Sequence, residues 1–361
     1  MSWSDLPGPS SFLALVEQDL RESKSVFAVV PKCFDDQWLY AMRSRLESNY
    51  EWMEVPGTLR GFYQEVSCRP DGEPFIELRE IIEHGIRGRG FILKNPPADA
   101  WNTWIPFLRD FAELNRAVDD LEKNVFLVVS DHPPNEIPNE PLISERRIEG
   151  FIRAEDSLFH AAKTFEVRET SDIWRKIRLH VCSELALWDF RLCELLGELP
   201  TKQLLEPFDW LREYGAVQGW QSFALSVSNG ELRRAGLLFS IAGEEFTHSA
   251  LLVIQGKNEE IVKRIWIAQI RVLFPIIEEQ RLRLLKVLRQ IHSRTIDSWE
   301  RELEEDGELE IGILYHRMIV SNFFGRDLTR IAGKLKNMRN NLAHLKICGP
   351  QDLPDEREWL R

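Results

Sequence analysis

Hydrophobic and polar positions follow two regimes along this chain, and the change falls near Thr170. In the first regime short unbroken apolar runs alternate with stretches of helical spacing. Residues 26–30 (VFAVV) predict a buried strand, and 35–46 follow with helix-like spacing at Trp38, Leu39, Met42 and Leu46. A helix is expected over 74–86, a second strand at 90–93 (GFIL), a long amphipathic helix over 101–121, a third strand at 125–129 (VFLVV) and a fourth at 148–152. Strands separated by helices of this length imply right-handed crossovers and a mainly parallel sheet covered on both faces.

In the second regime helix follows helix, over 172–196, 202–214, 259–292, 310–322 and 326–347. One insertion, 221–253, holds the pair Asn229-Gly230, which predicts a hairpin or wing. The acidic run 300–310 reads as a solvated loop or helix edge, and no internal repeat or low-complexity linker interrupts the pattern. Three segments are expected. Residues 1–168 form an α/β domain with a P-loop-like parallel sheet. Residues 169–255 form a helical lid with a winged-helix or hairpin region, and 256–361 an all-α bundle.

With 361 residues, 43% of them hydrophobic, and 12 Trp and 20 Phe, the chain can bury two or three cores. A formal charge of −12 excludes a protein that coats polyanions diffusely. The five cysteines (Cys33, Cys68, Cys182, Cys193, Cys348) are scattered and lack any Cys-x-x-Cys pair, so neither a disulfide framework nor a zinc knuckle is expected. The first twenty residues show no basic, apolar leader, and no stretch approaches the roughly 20 apolar residues of a membrane span. A cytoplasmic protein with no membrane partner is expected.

Strand, helix, strand, long helix, strand is also the order of a P-loop NTPase, in which the first strand runs into a glycine-rich phosphate cradle. Here Val30 is followed by Pro31-Lys32-Cys33-Phe34-Asp35-Asp36, which contains no glycine. Such a backbone cannot fold into the cradle, and two carboxylates would repel phosphates. The second strand ends in Leu93-Lys94-Asn95, without the acidic residue that would hold a metal. Asp131 is expected to form a turn before Pro133-Pro134. The cluster Gly85-Ile86-Arg87-Gly88-Arg89-Gly90 reads as a helix cap and loop, with a phosphate contact through its arginines as the lesser alternative. ATP hydrolysis and a bound cofactor are not expected. Residues 12–196 resemble the inactive STAND-type P-loop domains of prokaryotic conflict systems, and the resemblance implies a signalling or docking platform.

The last helix carries Met338-Arg339-Asn340-Asn341-Leu342-Ala343-His344-Leu345. At about 100° per residue, Ile331, Leu335, Met338, Leu342 and Leu345 form one buried stripe. Arg339 lies roughly 80° to one side, Asn340 about 180° away and His344 near 220°. Asn340 and His344 can touch, whereas Arg339 and His344, about 140° apart, cannot share one substrate atom on one straight helix. Gly349-Pro350 ends the helix, so His344 falls in its last turn, where the dipole favours a cation.

Arg339, Asn340 and His344, with four residues between Arg and His, resemble the motif of the HEPN superfamily, helical bundles whose ribonuclease members cleave RNA without a metal. The four helices would be 259–275, 276–292, 309–324 and 326–347, with Pro275 starting the second. The resemblance implies a homodimer through the C-terminal helices, with His344 as general acid or base, Arg339 on the scissile phosphate and Asn340 orienting either. Many such domains are docking modules without chemistry, so an adaptor that links an NTPase or effector partner is the alternative. A helix with no relation to the superfamily is the third. RNA would also meet Lys336, Arg330 and Lys334. Residues 315–346 hold seven basic side chains against Asp327 alone, which leaves room for one confined, salt-sensitive contact within an acidic chain.

His292 and His316, on neighbouring predicted helices, could join that cleft but are expected to be structural. Trp174, Trp188, Phe323 and Phe324 are expected in cores rather than stacked on bases. Glu244-Glu245 lacks the His-Glu-x-x-His spacing of a zinc protease, and Ser222, Ser226 and Ser228 sit in no nucleophile elbow. A transcription regulator would need a basic recognition helix, of which only Arg233-Arg234 is visible.

Overall fold

A computed structural model of the chain describes residues 3–31, 34, 37–66, 78–80, 82, 87–119, 122–131, 133–134, 136–165, 171–224, 227–302, 308–321 and 324–353. Two units are present. The first gathers Met1–Lys163, Trp188–Arg191 and Ser222–His248; the second gathers Thr164–Leu187, Leu192–Gln221 and Ser249–Arg361.

The first unit opens with α1 (Pro7–Arg21), β1 (Ser25–Val29), α2 (Gln37–Leu46), β2 (Glu51–Val55) and α3 (Leu59–Val66). It continues with a helical turn α4 (Leu78–Glu80), β3 (Arg89–Lys94), α5 (Trp101–Asn115), β4 (Val125–Ser130), β5 (Ile143–Arg147) and α6 (Ala154–Thr164). The five strands lie in the order β2-β3-β4-β1-β5, and every pair is parallel. An N-terminal parallel sheet followed by a largely helical region is therefore the fold.

The apolar runs became the central strands β1, β3 and β4, buried along nearly their whole length. The fourth strand is not at 148–152: those residues begin with a 3-10 turn, and β5 runs just before them through Ser-Glu-Arg-Arg. β2, unexpected from the pattern, alternates Glu, Trp, Met, Glu. Both are edge strands, paired on one side only, so they need little apolar surface. The helix expected over 74–86 lies largely outside the described residues.

One face of the sheet carries a cluster of aromatic side chains from α3, α5 and the strands, centred on Phe62. Phe62 is fully buried, with ring centroids of Phe91, Trp104, Phe107 and Phe126 at 5.3–5.8 Å in edge-on or tilted arrangements. Such contacts add about 0.5–1.5 kcal/mol per pair beyond burial. α1 lies against β1 and β5, where the buried Asp156 of α6 accepts the Gly8 and Arg153 backbone N–H groups at 3.1 and 2.8 Å. Desolvation raises the Asp156 pKa, against the lowering influence of those two donors.

The insertion also belongs to the first unit. Asn229-Gly230 does not turn a hairpin; it starts α11 (Asn229–Arg234) behind a capping box formed by Ser228 and Glu231. The hairpin is β6 (Leu238–Ile241) with β7 (Glu244–Thr247), turned by Ala242 and Gly243 at φ +52° and +85°. Positive φ at both central residues suits the strand twist. Buried His248, which follows β7, places its Nε2 3.2 Å from the buried Asp189 Oδ2.

The helix expected over 172–196 is two, α7 (Asp172–Ala186) in the second unit and α8 (Phe190–Gly197), of which 192–197 belong to the same unit, parted at Leu187 with φ +55°. The next is also two, α9 (Thr201–Leu205) and α10 (Phe208–Val217), parted before Pro207, which lacks the N–H to continue a ladder. After α12 (Ser249–Ile254) comes α13 (Asn258–Arg301), then α14 (Ile311–Ser321) and α15 (Arg326–Ala343). Pro275 does not start a helix: it lies inside α13, whose only non-helical residue is His292, at φ −139°. The first two of the four expected bundle helices are thus one long element broken near its end. α13 packs on α7 and α15, and α15 on α14.

Candidate functional site

α15 buries Ile331, Leu335, Met338 and Leu342 as the periodicity predicts. Leu345, assigned to the same stripe, is instead 58% exposed, because the helix stops at Ala343. His344 is the C-cap. Leu345 follows at φ +56°, its N–H donates to Leu342 O at 3.3 Å, and the Lys346 N–H donates to Asn341 O at 2.9 Å. This is a Schellman closure with leucine in the left-handed position where glycine is usual.

The closure is held from α13. The Trp266 Nε1–H donates to Leu342 O at 2.7 Å, a second and shorter hydrogen bond on the carbonyl that also accepts the Leu345 N–H. One turn on, buried Gln269 grips Cys348 twice: its Nε2 donates to the Cys348 carbonyl at 2.8 Å, and its Oε1 accepts the Cys348 N–H at 2.7 Å. Burial, with Asp352 nearby, pushes the Cys348 thiol up to about 12.

Since His344 has left the helix, its angle on an ideal wheel no longer describes its direction. Its imidazole is exposed, and among the described residues no hydrogen bond or ion pair reaches it. Asn340 is half-buried, and its carbonyl accepts the His344 backbone N–H at 3.1 Å. The Arg339 guanidinium is occupied: Nη2 donates to Glu310 Oε2, just ahead of α14, at 2.8 Å.

Other basic side chains of this region are also engaged. Lys336 Nζ stands 5.0 Å from the Tyr315 ring centroid. Gly333 lies close by, where a Cβ would come to 3.0 Å from the same ring. Arg330 reaches Asp327 at 3.5 Å, and Arg317 pairs with Glu302 at 2.8 Å while lying over Trp299. Lys334 is half-buried on α15 and also makes a contact. The structure therefore brings Asn340 and His344 to one helix end and ties Arg339 to Glu310, just ahead of α14.

Glu310, Trp266 and Gln269 were not found by sequence reading. Glu310 was visible only as part of an acidic run, and the other two carry no motif signal because their partners are backbone groups.

Elsewhere, the residues weighed for phosphate or metal chemistry have structural partners. Arg87 pairs with Glu122 and Arg89 with Glu51. The Asn95 side chain accepts the Asp131 backbone N–H at 3.0 Å, joining the ends of β3 and β4. His292 meets Phe324 edge-on, His316 is exposed on α14, Trp188 is buried and Trp174 half-buried. Glu244 and Glu245 are exposed on β7, where Glu245 pairs with Arg233. Lys32, Cys33, Asp35, Asp36, Ser226 and Phe323 lie outside the described residues. Among the described residues no three His, Cys, Asp or Glu side chains gather as a metal site, and no helix is long and apolar enough to cross a membrane. Compared with known proteins, the chain matches no family model, no curated protein and no solved structure.

Proposed function

We propose that the protein is a component of a prokaryotic conflict system, in which a P-loop-like sheet without ATP hydrolysis serves as a platform and a HEPN-like helical module cleaves RNA without a metal. The observation that carries this reading is the His344 imidazole, exposed and unencumbered at a helix end whose backbone is locked from α13. An exposed imidazole can take the proton of a ribose 2′-hydroxyl or give one to the leaving oxygen. Arg339 would neutralise the phosphate once released from Glu310. A second copy of the chain would supply the partner His or Arg that one helix cannot.

Total RNA incubated with the purified protein in EDTA tests it. Cleavage leaving 2′,3′-cyclic phosphate ends and lost in His344→Ala is expected; intact RNA at every protein concentration refutes the nuclease.

A second reading, a non-catalytic adaptor, draws support from the engagement of Arg339, Lys336, Arg330 and Arg317 with groups of the same chain. It predicts RNA left intact and an NTPase or effector retained by the tagged protein from its native host.

A further inference from the structure

We propose that the cleft at the carboxyl edge of the five-stranded sheet binds a small organic anion with a flat apolar body. In open parallel sheets ligands collect beyond the carboxyl ends of the strands, where connections diverge. Here β1 leads away to the far edge at β2, while β4 leads across β1 to β5.

Two cavities open at that edge, one of about 280 Å³ and one of about 750 Å³. Both are lined by Pro133, Pro134 and Arg234, so they are two arms of one cleft. Their sizes suit a small molecule.

The arms differ in chemistry. The larger is walled by Trp101, Ile105, Pro106 and Phe223, flat and apolar surfaces that suit a planar ring. The smaller is lined by Arg147, Arg233 and Arg234 together with Glu149 and Asp131.

Most of these charges serve the fold. Arg233 is spanned between Glu149 and Glu245, and Glu149 also accepts the Ser240 N–H. Glu231, beside the larger arm, is consumed by the Ser228 cap. Arg147 shares Glu145 on its own strand. Arg234 is exposed and feels the Glu231 carboxylate electrostatically, but among the described residues its guanidinium makes no ion pair or hydrogen bond. It stands where the apolar arm meets the charged one. An anion there would bind by charge-assisted hydrogen bonds from guanidinium groups and would need no glycine cradle. The buried Asp131 carboxylate would face a ligand N–H or O–H rather than its charge.

The probe is 1-anilinonaphthalene-8-sulfonate, an anion on a flat apolar body, titrated into the full native chain by fluorescence. The expected result is saturable one-site binding, weakened tenfold or more in Arg234→Glu and in Ala235→Trp. The second variant fills the larger arm without changing charge. Arg212→Glu, an exposed arginine of α10, should bind as wild type, and all three variants should keep the wild-type thermal midpoint. Adenosine monophosphate and benzoate are then offered as competitors beside inorganic pyrophosphate. Displacement by either ring-bearing anion supports the cleft and says which head group it favours. Non-saturable binding, binding indifferent to both cleft variants, or displacement by pyrophosphate alone overturns the proposal.

Discussion

Neutralising Glu310 should make Arg339 available and so tighten RNA binding. The pair is 2.8 Å long, with its side chains 37% and 58% exposed. An ion pair this open to solvent is worth about 0.2–1 kcal/mol. If a phosphate must displace Glu310 to reach Arg339, that energy is charged against RNA, and removing it should tighten binding by about 1.4- to 5-fold at 1.4 kcal/mol per tenfold. The assay is fluorescence anisotropy of a labelled single-stranded RNA at several salt concentrations, for wild type, Glu310→Gln and Arg339→Ala. Arg339→Ala should lower the slope of log affinity on log salt by about 0.7, one phosphate contact on a single strand. The thermal midpoint of Glu310→Gln should move by only a few degrees, as a loss of about 1 kcal/mol or less requires. Unchanged or weaker RNA affinity in Glu310→Gln would refute the idea that Arg339 is a restrained phosphate ligand.

Three further outcomes follow from the packing. Phe62→Ala removes the centre of the aromatic cluster and should cost about 3–5 kcal/mol in urea unfolding of the first unit; a cost below 1 kcal/mol would mean that the cluster collapses freely. Gln269→Leu strands the buried N–H and C=O of Cys348, so backbone amides over 344–349 should exchange faster with deuterium while those of β1 and β4 do not. Burial raises the Asp156 pKa above its ordinary value of 3.8, so the native state holds that proton more tightly than the unfolded chain. Stability should therefore fall as pH rises through the window above 3.8 and level off beyond the folded pKa, and Asp156→Asn should lack this component.

The central strands were legible because a strand flanked on both sides and covered on both faces must be apolar throughout, as 125–129 is. β2 and β5 were not, since an edge strand of this sheet can be half charged. Asn229-Gly230 misled because a pair able to turn a hairpin can equally follow a helix cap. The signal that decides is Ser228 with Glu231 three residues on, and it was present in the sequence. Pro275 misled in the opposite direction: its missing N–H was read as a helix start, yet packing of α13 on α7 and α15 carries the helix past it. In the candidate site the buried stripe of α15 was readable up to Leu342, and the direction of His344 was not. Gly349-Pro350 marked a stop several residues too late, and the true stop depends on a leucine in a left-handed conformation that only tertiary contacts hold.

The grip of Gln269 on Cys348, across 79 residues of chain, changes what the motif letters mean. Arg339, Asn340 and His344 can be read from one short stretch, but the aim of the imidazole is inherited from a glutamine and a tryptophan on another helix. A homologue could keep all three letters and still point its histidine elsewhere if a different residue stood at 269. Relatives that share this geometry should therefore be sought by pairing position 269 with the segment 342–348, rather than by the motif alone.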